Sequence, residues 1–406
     1  MLSKTNKIGM KHEIKGDAGE EYVNELAYKS YLKYWCYPNP KDINGDKKEI
    51  CDMLILFRET AIIFSVKNHS FDGNYERYKK RVVEKSTNQL NGAFRKLFNS
   101  SRQIYIKHPD RDPEQFVSDQ FSKVYKLTVN VGEQFEHYEF SDQDARKGFI
   151  SILNKDTFET IIEELDTIKD FIEYLDEREK LLTCGKTITI NCTEKDLLAE
   201  FLMNRRSFKV DYKAAHVKEI VLNISGSWNR YANSEQLRRK KKADEISYFI
   251  DGMVKKDILH LPDGETLARE LMNLGRTERR MLTKSLVGLV KKYEGEPDTF
   301  ARRYSAYNGI GHLLIYYPPN ALENEVDSFI QLAMVLYAYK SGYREKEIIC
   351  IAATNGVKQH KFGLFQAFPP IPDATAKLYD SIISDLGWFT AMQALYYEEK
   401  EYPDAD

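Results

Sequence analysis

The chain has 406 residues, of which 42% are hydrophobic and 30% charged, a composition typical of globular proteins with roughly two or three domains. A formal net charge of −2 excludes a globally basic protein, so any surface that binds a polyanion must be local. The five cysteines lack C-x-x-C spacing, which indicates neither a zinc site nor a disulfide framework, and no apolar run reaches the ~18 residues of a membrane span. These features favour a cytoplasmic protein and predict no membrane partner.

The first predicted element is a helix over residues 17–33, with apolar residues at helical spacing and Asp17 as its N-cap. Glu20 and Glu21 lie in its first turn, where the helix dipole favours acidic residues in any case. A short strand over residues 34–37 follows, and then a loop over residues 38–46 with two prolines, Asn44 and Gly45.

Two apolar runs, residues 50–57 and 61–66, predict a β-hairpin because the few polar residues between them can turn the chain. The first run carries Asp52 near its start, and the second ends on Lys67. Side chains alternate across a strand, so Ser65 and Lys67 share one face of the second strand. If that face coincides with the face of Asp52, Asp52 and Lys67 can meet. The alternative is that both are polar strand ends that extend into solvent.

This arrangement resembles the core of the PD-(D/E)xK nuclease superfamily, which has Asp at the start of one strand and (D/E)-x-K at the end of the next. In that family a helix before the hairpin often carries a Glu, and a helix after it often carries a Gln. The matching positions here are Asp52, the triplet Ser65-Val66-Lys67, Glu20 or Glu21, and Gln89. The resemblance covers roughly residues 15–130 and implies a restriction-endonuclease-like αβββαβ core within a mixed α/β chain.

Serine stands at position 65, where the superfamily usually has Asp or Glu. A carboxylate at that position ligates Mg²⁺, whereas serine brings no charge. The chain is similar in this respect to a subset of type II restriction endonucleases, in which S-x-K is combined with an acid from the following helix. Glu84 and Glu76 are the candidates for that acid here, and Glu20 from the first helix could also supply it.

The resemblance implies phosphodiester hydrolysis with Mg²⁺ or Mn²⁺, because a bound metal neutralises phosphate charge and generates a hydroxide nucleophile. Asp52 would be a metal ligand, Lys67 would position or deprotonate the water, and Gln89 would support the site by hydrogen bonding. The predicted catalytic residues are therefore Asp52, Lys67, Glu20, Gln89 and Ser65, and the predicted metal ligands are Asp52, Glu20 and Glu84.

The helix predicted after the hairpin, over residues 75–99, has an apolar stripe and a group of cations in its first half. These cations are Arg77, Lys79, Lys80, Arg81 and Lys85. They either contact a nucleic-acid backbone or form a solvated helix face. Further basic residues at 238–242 and at Arg276, Arg279 and Arg280 add weight to the binding interpretation.

Later predicted elements are strands over residues 102–107, 123–131 and 149–153, a long helix over 157–182, and a strand–helix–strand tail over 309–318, 321–340 and 347–353. His312 lies on the first strand of that tail and is predicted to be a core residue. A boundary near Cys184 divides the chain into a nuclease-like domain, 1–183, and a helix-rich α/β domain, 184–406, that binds substrate or a partner.

Three functions stay open. The first is a metal-dependent endonuclease that acts on nucleic acid, DNA rather than RNA, with a role against foreign DNA implied by the resemblance alone. The second is a catalytically inactive nuclease fold that binds nucleic acid or protein. The third is an interaction protein with an unrelated α/β fold. A homodimer or a partner protein is compatible with each of them.

Overall fold

The structure is a computed structural model that describes residues 19, 21–25, 27, 31–132, 141–144, 148–208, 216–296, 298–307, 309–355, 360–366, 371–390 and 399–404. The chain has a mixed α/β fold and divides into two compact units, Met1–Ser234 and Glu235–Asp406. Among the described residues, no helix is both long enough and apolar enough to cross a membrane.

The strands of the first unit are β1 (Cys36–Pro38), β2 (Met53–Phe57), β3 (Thr60–Lys67), β4 (Ile104–Ile106), β5 (Glu114–Phe116), β6 (Lys123–Asn130), β7 (Ser141–Asp144), β8 (Gly148–Asn154), β9 (Thr187–Ile190) and β10 (Glu219–Leu222). Its helices are α1 (Tyr75–Tyr78), α2 (Lys85–Phe98), α3 (Lys155–Glu164), α4 (Ile168–Leu182), α5 (Glu194–Met203) and α6 (Ser227–Ala232). Residues 21–25 are also helical, and 3₁₀ turns lie at Lys33–Trp35 and Ser118–Gln120.

The second unit contains the helices α7 (Glu235–Asp244), α8 (Tyr248–Lys256), α9 (Gly264–Met272), α10 (Arg276–Tyr293), α11 (Glu323–Lys340) and α12 (Asp373–Asp385). Its strands β11 (Ala301–Tyr307), β12 (Ile310–Tyr316), β13 (Glu347–Ala353) and β14 (Lys361–Gln366) form one sheet in that order. β12 and β13 are parallel and are joined through α11, which confirms the predicted strand–helix–strand tail.

A six-stranded sheet with the order β1-β2-β3-β6-β8-β7 organises the first unit. β1, β2 and β3 are successive antiparallel neighbours, whereas β3, β6 and β8 are parallel. The predicted hairpin is confirmed, with Leu54 opposite Ile63. β2 and β3 are buried along almost their whole length, as expected for continuous apolar runs in the middle of a covered sheet.

The helix that follows the hairpin covers one face of this sheet. It runs without interruption from α1 through a π-helical segment, Lys79–Glu84, into α2. Buried apolar residues of the hairpin and of this helix pack together: Leu54, Leu56, Ala61, Ile63, Val82, Leu90, Ala93 and Leu97. Ser86 also accepts a hydrogen bond of 2.9 Å from Thr128 of β6, which ties the helix to the parallel part of the sheet.

The predicted single helix over residues 157–182 is wrong, because the structure has two helices, α3 and α4, in that region. Thr167 ends the helical path: its backbone is extended, and its hydroxyl accepts a hydrogen bond of 3.1 Å from Asp170 N as the N-cap of α4. The amphipathic pattern continues across the break because both helices bury apolar residues, so periodicity alone does not reveal it.

The first compact unit ends at Ser234, later in the chain than the expected boundary between residues 183 and 184. Side chains beyond residue 184 complete its interior. Glu194 at the start of α5 forms a buried ion pair with Arg178 of α4, with 2.6 Å between Arg178 Nε and Glu194 Oε1. Arg206 similarly lies 2.6 Å from Asp170 Oδ1. Because buried charges must be paired, these contacts make the segment after residue 184 part of the first unit.

Three arginines that the sequence suggests as a basic patch are in the interior of the second unit. Arg276, Arg279 and Arg280 are 3%, 0% and 0% exposed. Arg276 and Arg279 both pair with Asp251, and Arg280 Nη1 lies 2.9 Å from Asp244 Oδ1. The interpretation of these residues as phosphate contacts is therefore wrong, since each guanidinium is buried and neutralised by a carboxylate.

His312 is buried in the centre of β12, at 1% exposure, which confirms its prediction as a core residue. Burial lowers the pKa of its imidazole from 6.5 to about 4. A lowered histidine pKa stabilises the folded state above pH 6.5, and this stabilisation is lost as pH falls, because the unfolded chain takes up the proton first.

Between pH 7 and pH 5 the wild-type protein is therefore expected to lose about 2 kcal/mol more unfolding free energy than a His312→Gln variant. Denaturant titrations of both proteins at the two pH values would measure this difference. Equal losses in both proteins would show that His312 does not titrate below its ordinary range.

Candidate active site

A local irregularity in the sheet shapes the site just before β2. Asn39 N donates a hydrogen bond of 3.0 Å to Asp52 O, and farther along Lys41 lies opposite Glu49. Between these two pairings the segment from Asn39 to Lys41 advances two residues, whereas the facing segment from Asp52 back to Glu49 advances three. This is the arrangement of a β-bulge. Residues three apart on a regular strand face opposite sides, so the extra residue brings Glu49 and Asp52 to the same side.

Asp52 immediately precedes β2 and is held by the facing strand β3. It is 6% exposed, and its Oδ2 accepts a hydrogen bond from Val66 N of β3. The same oxygen lies 3.8 Å from Lys67 Nζ, and the two side chains are 8% and 11% exposed. The two predicted residues therefore meet, as expected if the strand faces coincide, and they form an ion pair almost removed from solvent.

Ser65 connects Lys67 to the helix that covers the sheet. Its hydroxyl accepts a hydrogen bond of 2.6 Å from Lys67 Nζ and donates one of 3.2 Å to Gln89 Oε1 of α2. Lys67 Nζ also donates to Val66 O at 2.8 Å. The result is a continuous chain of polar contacts from Asp52 through Lys67 and Ser65 to Gln89, which fixes the position of the lysine ammonium.

Glu49 is a site residue that sequence reasoning missed. It is exposed at the edge of the site, where partial burial, the negative charge of Asp52 and a hydrogen bond to Asp52 raise the pKa of Glu49. A nearby negative charge disfavours ionisation, so Glu49 loses its proton less readily than a carboxyl group in water. In the sequence, its separation of three residues from Asp52 predicts opposite faces of a strand, and only the bulge places both acids on one side of the sheet.

A cavity of about 420 Å³ between the hairpin and α2 is bordered by Glu49, Asp52, Ser65 and Gln89. Its walls carry both acids, the serine and the glutamine together with apolar side chains and backbone: Glu49, Ile50, Cys51, Asp52, Phe64, Ser65, Gln89, Leu90, Gly92, Ala93 and Lys96. Lys96 is held at the rim by Asp46 Oδ1 at 2.8 Å and by Lys48 O at 3.2 Å. The cavity is thus lined by polar and apolar groups from both the hairpin region and the helix.

The other predicted acids lie apart from this group or outside the described residues. Glu84 and Glu76 are exposed on the covering helix, and neither is among the described residues that line the cavity. Val82, Val83, Ser86 and Thr87 face the sheet, which turns Glu84 outward. Glu20 lies outside the described residues. Its neighbour Gly19 is close to Val131 and Asn68, because a Cβ at Gly19 would lie 2.9 Å from Val131 Cγ2.

The donor set suits a hard divalent cation. Mg²⁺ is bound through one or two carboxylates, with waters and substrate oxygens completing its shell, and Glu49 and Asp52 provide such a pair. Two adjacent carboxylates repel each other unless a proton or a cation lies between them, which is consistent with the raised pKa of Glu49. Within the described ranges, no group of three or more His, Cys, Asp or Glu side chains is arranged to hold a metal.

We therefore expect Glu49→Gln to weaken Mn²⁺ binding by about tenfold or more, since it removes one of two negative ligands. The same variant should unfold at higher denaturant concentration at pH 7, because a carboxyl with a raised pKa destabilises the fold once it is ionised. Below the ordinary pKa of 4.5 this difference should vanish. Glu59→Gln, at the exposed turn of the same hairpin, is the matched control. Calorimetric titration with unchanged affinity for Glu49→Gln would exclude Glu49 as a ligand.

The structure thus brings together Asp52, Lys67, Ser65 and Gln89 and adds Glu49 to them. Each reaches the site from a strand end or from the helix that covers the sheet, so the sheet and its covering helix determine the geometry. Comparisons with protein-family models, with curated proteins and with solved structures find no significant match to the chain.

Proposed function

We propose that the first unit is a metal-dependent nuclease of the PD-(D/E)xK type that hydrolyses phosphodiester bonds, with DNA as the expected substrate. The observation that supports this most is the convergence of Asp52, Ser65 and Gln89 on one cavity. Lys67 joins them through its ion pair with Asp52 and its hydrogen bond to Ser65. The order of elements supports it further: a helix, three antiparallel strands, a covering helix, and β6 parallel to β3.

In this proposal Glu49 and Asp52 hold Mg²⁺ or Mn²⁺, which when bound supplies positive charge at the phosphate and lowers the pKa of a water. Lys67 places a fixed ammonium beside Asp52, where it offsets charge that develops on the phosphate. Ser65 restricts the rotation of the Lys67 side chain by accepting its hydrogen bond, and Gln89 holds Ser65 in turn. Such positioning of a catalytic group before the substrate arrives lowers the reorganisation that the reaction requires.

A second candidate is a nuclease fold that binds nucleic acid without cutting it. It is favoured by Ser65, whose neutral hydroxyl occupies the place of the usual acid and already accepts from Lys67 and donates to Gln89. A serine in this arrangement supports the lysine but contributes no charge to a metal. The two candidates share the same surface and differ only in whether bond cleavage follows binding.

The experiment that decides between them incubates the purified chain with single- and double-stranded DNA and RNA in Mg²⁺, in Mn²⁺ and in EDTA. Cleavage that requires the metal supports the nuclease. Binding without cleavage in either metal supports the second candidate. A folded protein that neither binds nor cuts any of the four substrates contradicts both and leaves a protein-interaction role.

A further inference from the structure

Gly92 lies in the middle of α2 and borders the cavity that contains Asp52 and Gln89. Glycine inside a helix is costly, because it loses more backbone freedom on folding than any other residue. A glycine at such a position therefore calls for a reason in packing, in backbone conformation or in function.

Packing and conformation do not supply that reason. Among the described residues, nothing outside the helix's own backbone and the neighbours in sequence lies within 4 Å of a Cβ built at Gly92. Gly92 is not among the glycines with positive φ, so its backbone accepts any L-residue. Alanine would therefore fit at position 92 and would strengthen the helix. What a side chain would change is the open space beside Gly92 at the edge of the cavity, which it would fill.

The residues on either side of Gly92 show what this open space adjoins. Lys85, Gln89, Gly92 and Lys96 follow one another at intervals of four, three and four residues, which places them along one face of α2. Gln89 contacts Ser65, Lys96 lies at the rim, and Lys85 is exposed toward the start of the helix. This face of α2 therefore has no side chain at Gly92, between Gln89 of the site and Lys96.

We propose that Gly92 keeps open a passage along this face for the sugar–phosphate backbone of a nucleic-acid strand, whose scissile phosphate reaches Asp52 and Lys67. This inference rests on the proposed function and restricts its substrate to a nucleic-acid strand as opposed to a small phosphoester. A small phosphoester needs only the cavity itself, whereas a strand must continue past the cavity edge over the helix. Glycine permits a backbone or ligand to approach the helix closely. Lys96 is paired with Asp46, so the charge on this face that favours a polyanion is the exposed Lys85.

Gly252 provides a matched control. It also lies inside a helix, α8, is half-buried, has no positive φ, and has no described neighbour within 4 Å of an added Cβ. It does not belong to the described lining of the cavity. Alanine at either position should therefore raise the Tm of the full chain, because both substitutions remove helix-interior glycine without creating a clash.

The test compares Gly92→Leu and Gly92→Trp with Gly252→Leu and Gly252→Trp. Binding of a labelled single-stranded oligonucleotide in Ca²⁺, with fluorescence anisotropy as the readout, should weaken by about tenfold or more for the Gly92 variants, a loss typical of an obstructed contact. The Gly252 variants should bind as the wild type does. Hydrolysis of bis(4-nitrophenyl) phosphate by the Gly92 variants should fall by a much smaller factor than oligonucleotide binding, since a small diester does not need the passage.

Wild-type affinity for the oligonucleotide in both Gly92 variants would overturn the passage while leaving the proposed nuclease intact. A lower Tm for Gly92→Ala would also overturn it, because this would reveal a packing reason for the glycine. Equal loss of oligonucleotide and small-diester activity would place Gly92 in the cavity itself and not in a passage. Failure of the folded wild-type chain to bind any nucleic acid would overturn the proposed function and this inference together.

Discussion

Asp52→Asn and Lys67→Met are each expected to lower metal-dependent cleavage by a factor on the order of 10²–10⁴, the range for loss of a positioned charged or proton-transferring group. Asp52→Asn keeps the size of the side chain but removes the charge that lies 3.8 Å from Lys67. Lys67→Met keeps the aliphatic stem and removes the ammonium that Ser65 and Val66 hold in place. The measurement is the initial rate of cleavage of the best nucleic-acid substrate under single-turnover conditions.

The matched control is Glu59→Gln, which removes an exposed carboxylate at the opposite end of the same hairpin and should leave the rate within about twofold, as for a solvent-screened charge. Denaturant unfolding of all three variants separates loss of chemistry from loss of fold. Cleavage that persists in both Asp52→Asn and Lys67→Met would show that the hairpin end is not the catalytic centre, even though the two side chains are adjacent.

The largest effect on stability is expected from Arg178→Leu, which should lower the free energy of unfolding of the first unit by about 3–5 kcal/mol. Arg178 contacts both carboxylate oxygens of Glu194, at 2.6 and 3.0 Å, and Ser151 Oγ at 2.9 Å. Tyr174 donates a hydrogen bond to the same carboxylate. Removing the guanidinium leaves Glu194 buried with its charge uncompensated, which is much more costly than losing a solvated ion pair.

Lys180→Met is the control on the same helix, since Lys180 pairs with Glu177 at 49% exposure and such pairs contribute only about 0–1 kcal/mol. The double variant Arg178→Leu/Glu194→Leu should recover much of the lost stability, because apolar replacements remove both buried charges together.

A fragment of residues 1–183 lacks Glu194 and should be less stable than a fragment of residues 1–234. Urea denaturation followed by circular dichroism measures the stability of all three variants and both fragments. An unperturbed Arg178→Leu midpoint would show that the ion pair is not needed.

Several features follow from local rules that the sequence contains. Alternation along two apolar runs allowed Asp52 and Lys67 to meet if their strand faces coincide, and the observed register of β2 and β3 makes the faces coincide. Apolar periodicity identified the strand–helix–strand tail and placed His312 in its core. The predictions of the hairpin and the tail succeed because strand alternation and the helix period depend on residues close together in the sequence. In addition, the strands of a buried sheet are continuous apolar runs, which the sequence shows directly.

Other features were decided only by tertiary structure. Glu49 reaches Asp52 through a bulge whose extra residue is visible only when the facing segment is paired with it. The π-helical segment Lys79–Glu84 changes the rotation of the covering helix, so the side from which Glu84 projects could not be read from a regular 3.6-residue period. Arg279 and Arg280 look like surface cations in sequence, and only the carboxylates brought to them from distant segments explain their complete burial. The sequence by itself determined where the hairpin and the strand–helix–strand tail form, because those preferences are local, although it did not reveal the helix break at Thr167. Which charges are buried, paired or left at the cavity was decided by the tertiary structure, because electrostatic partners come from residues far apart along the chain.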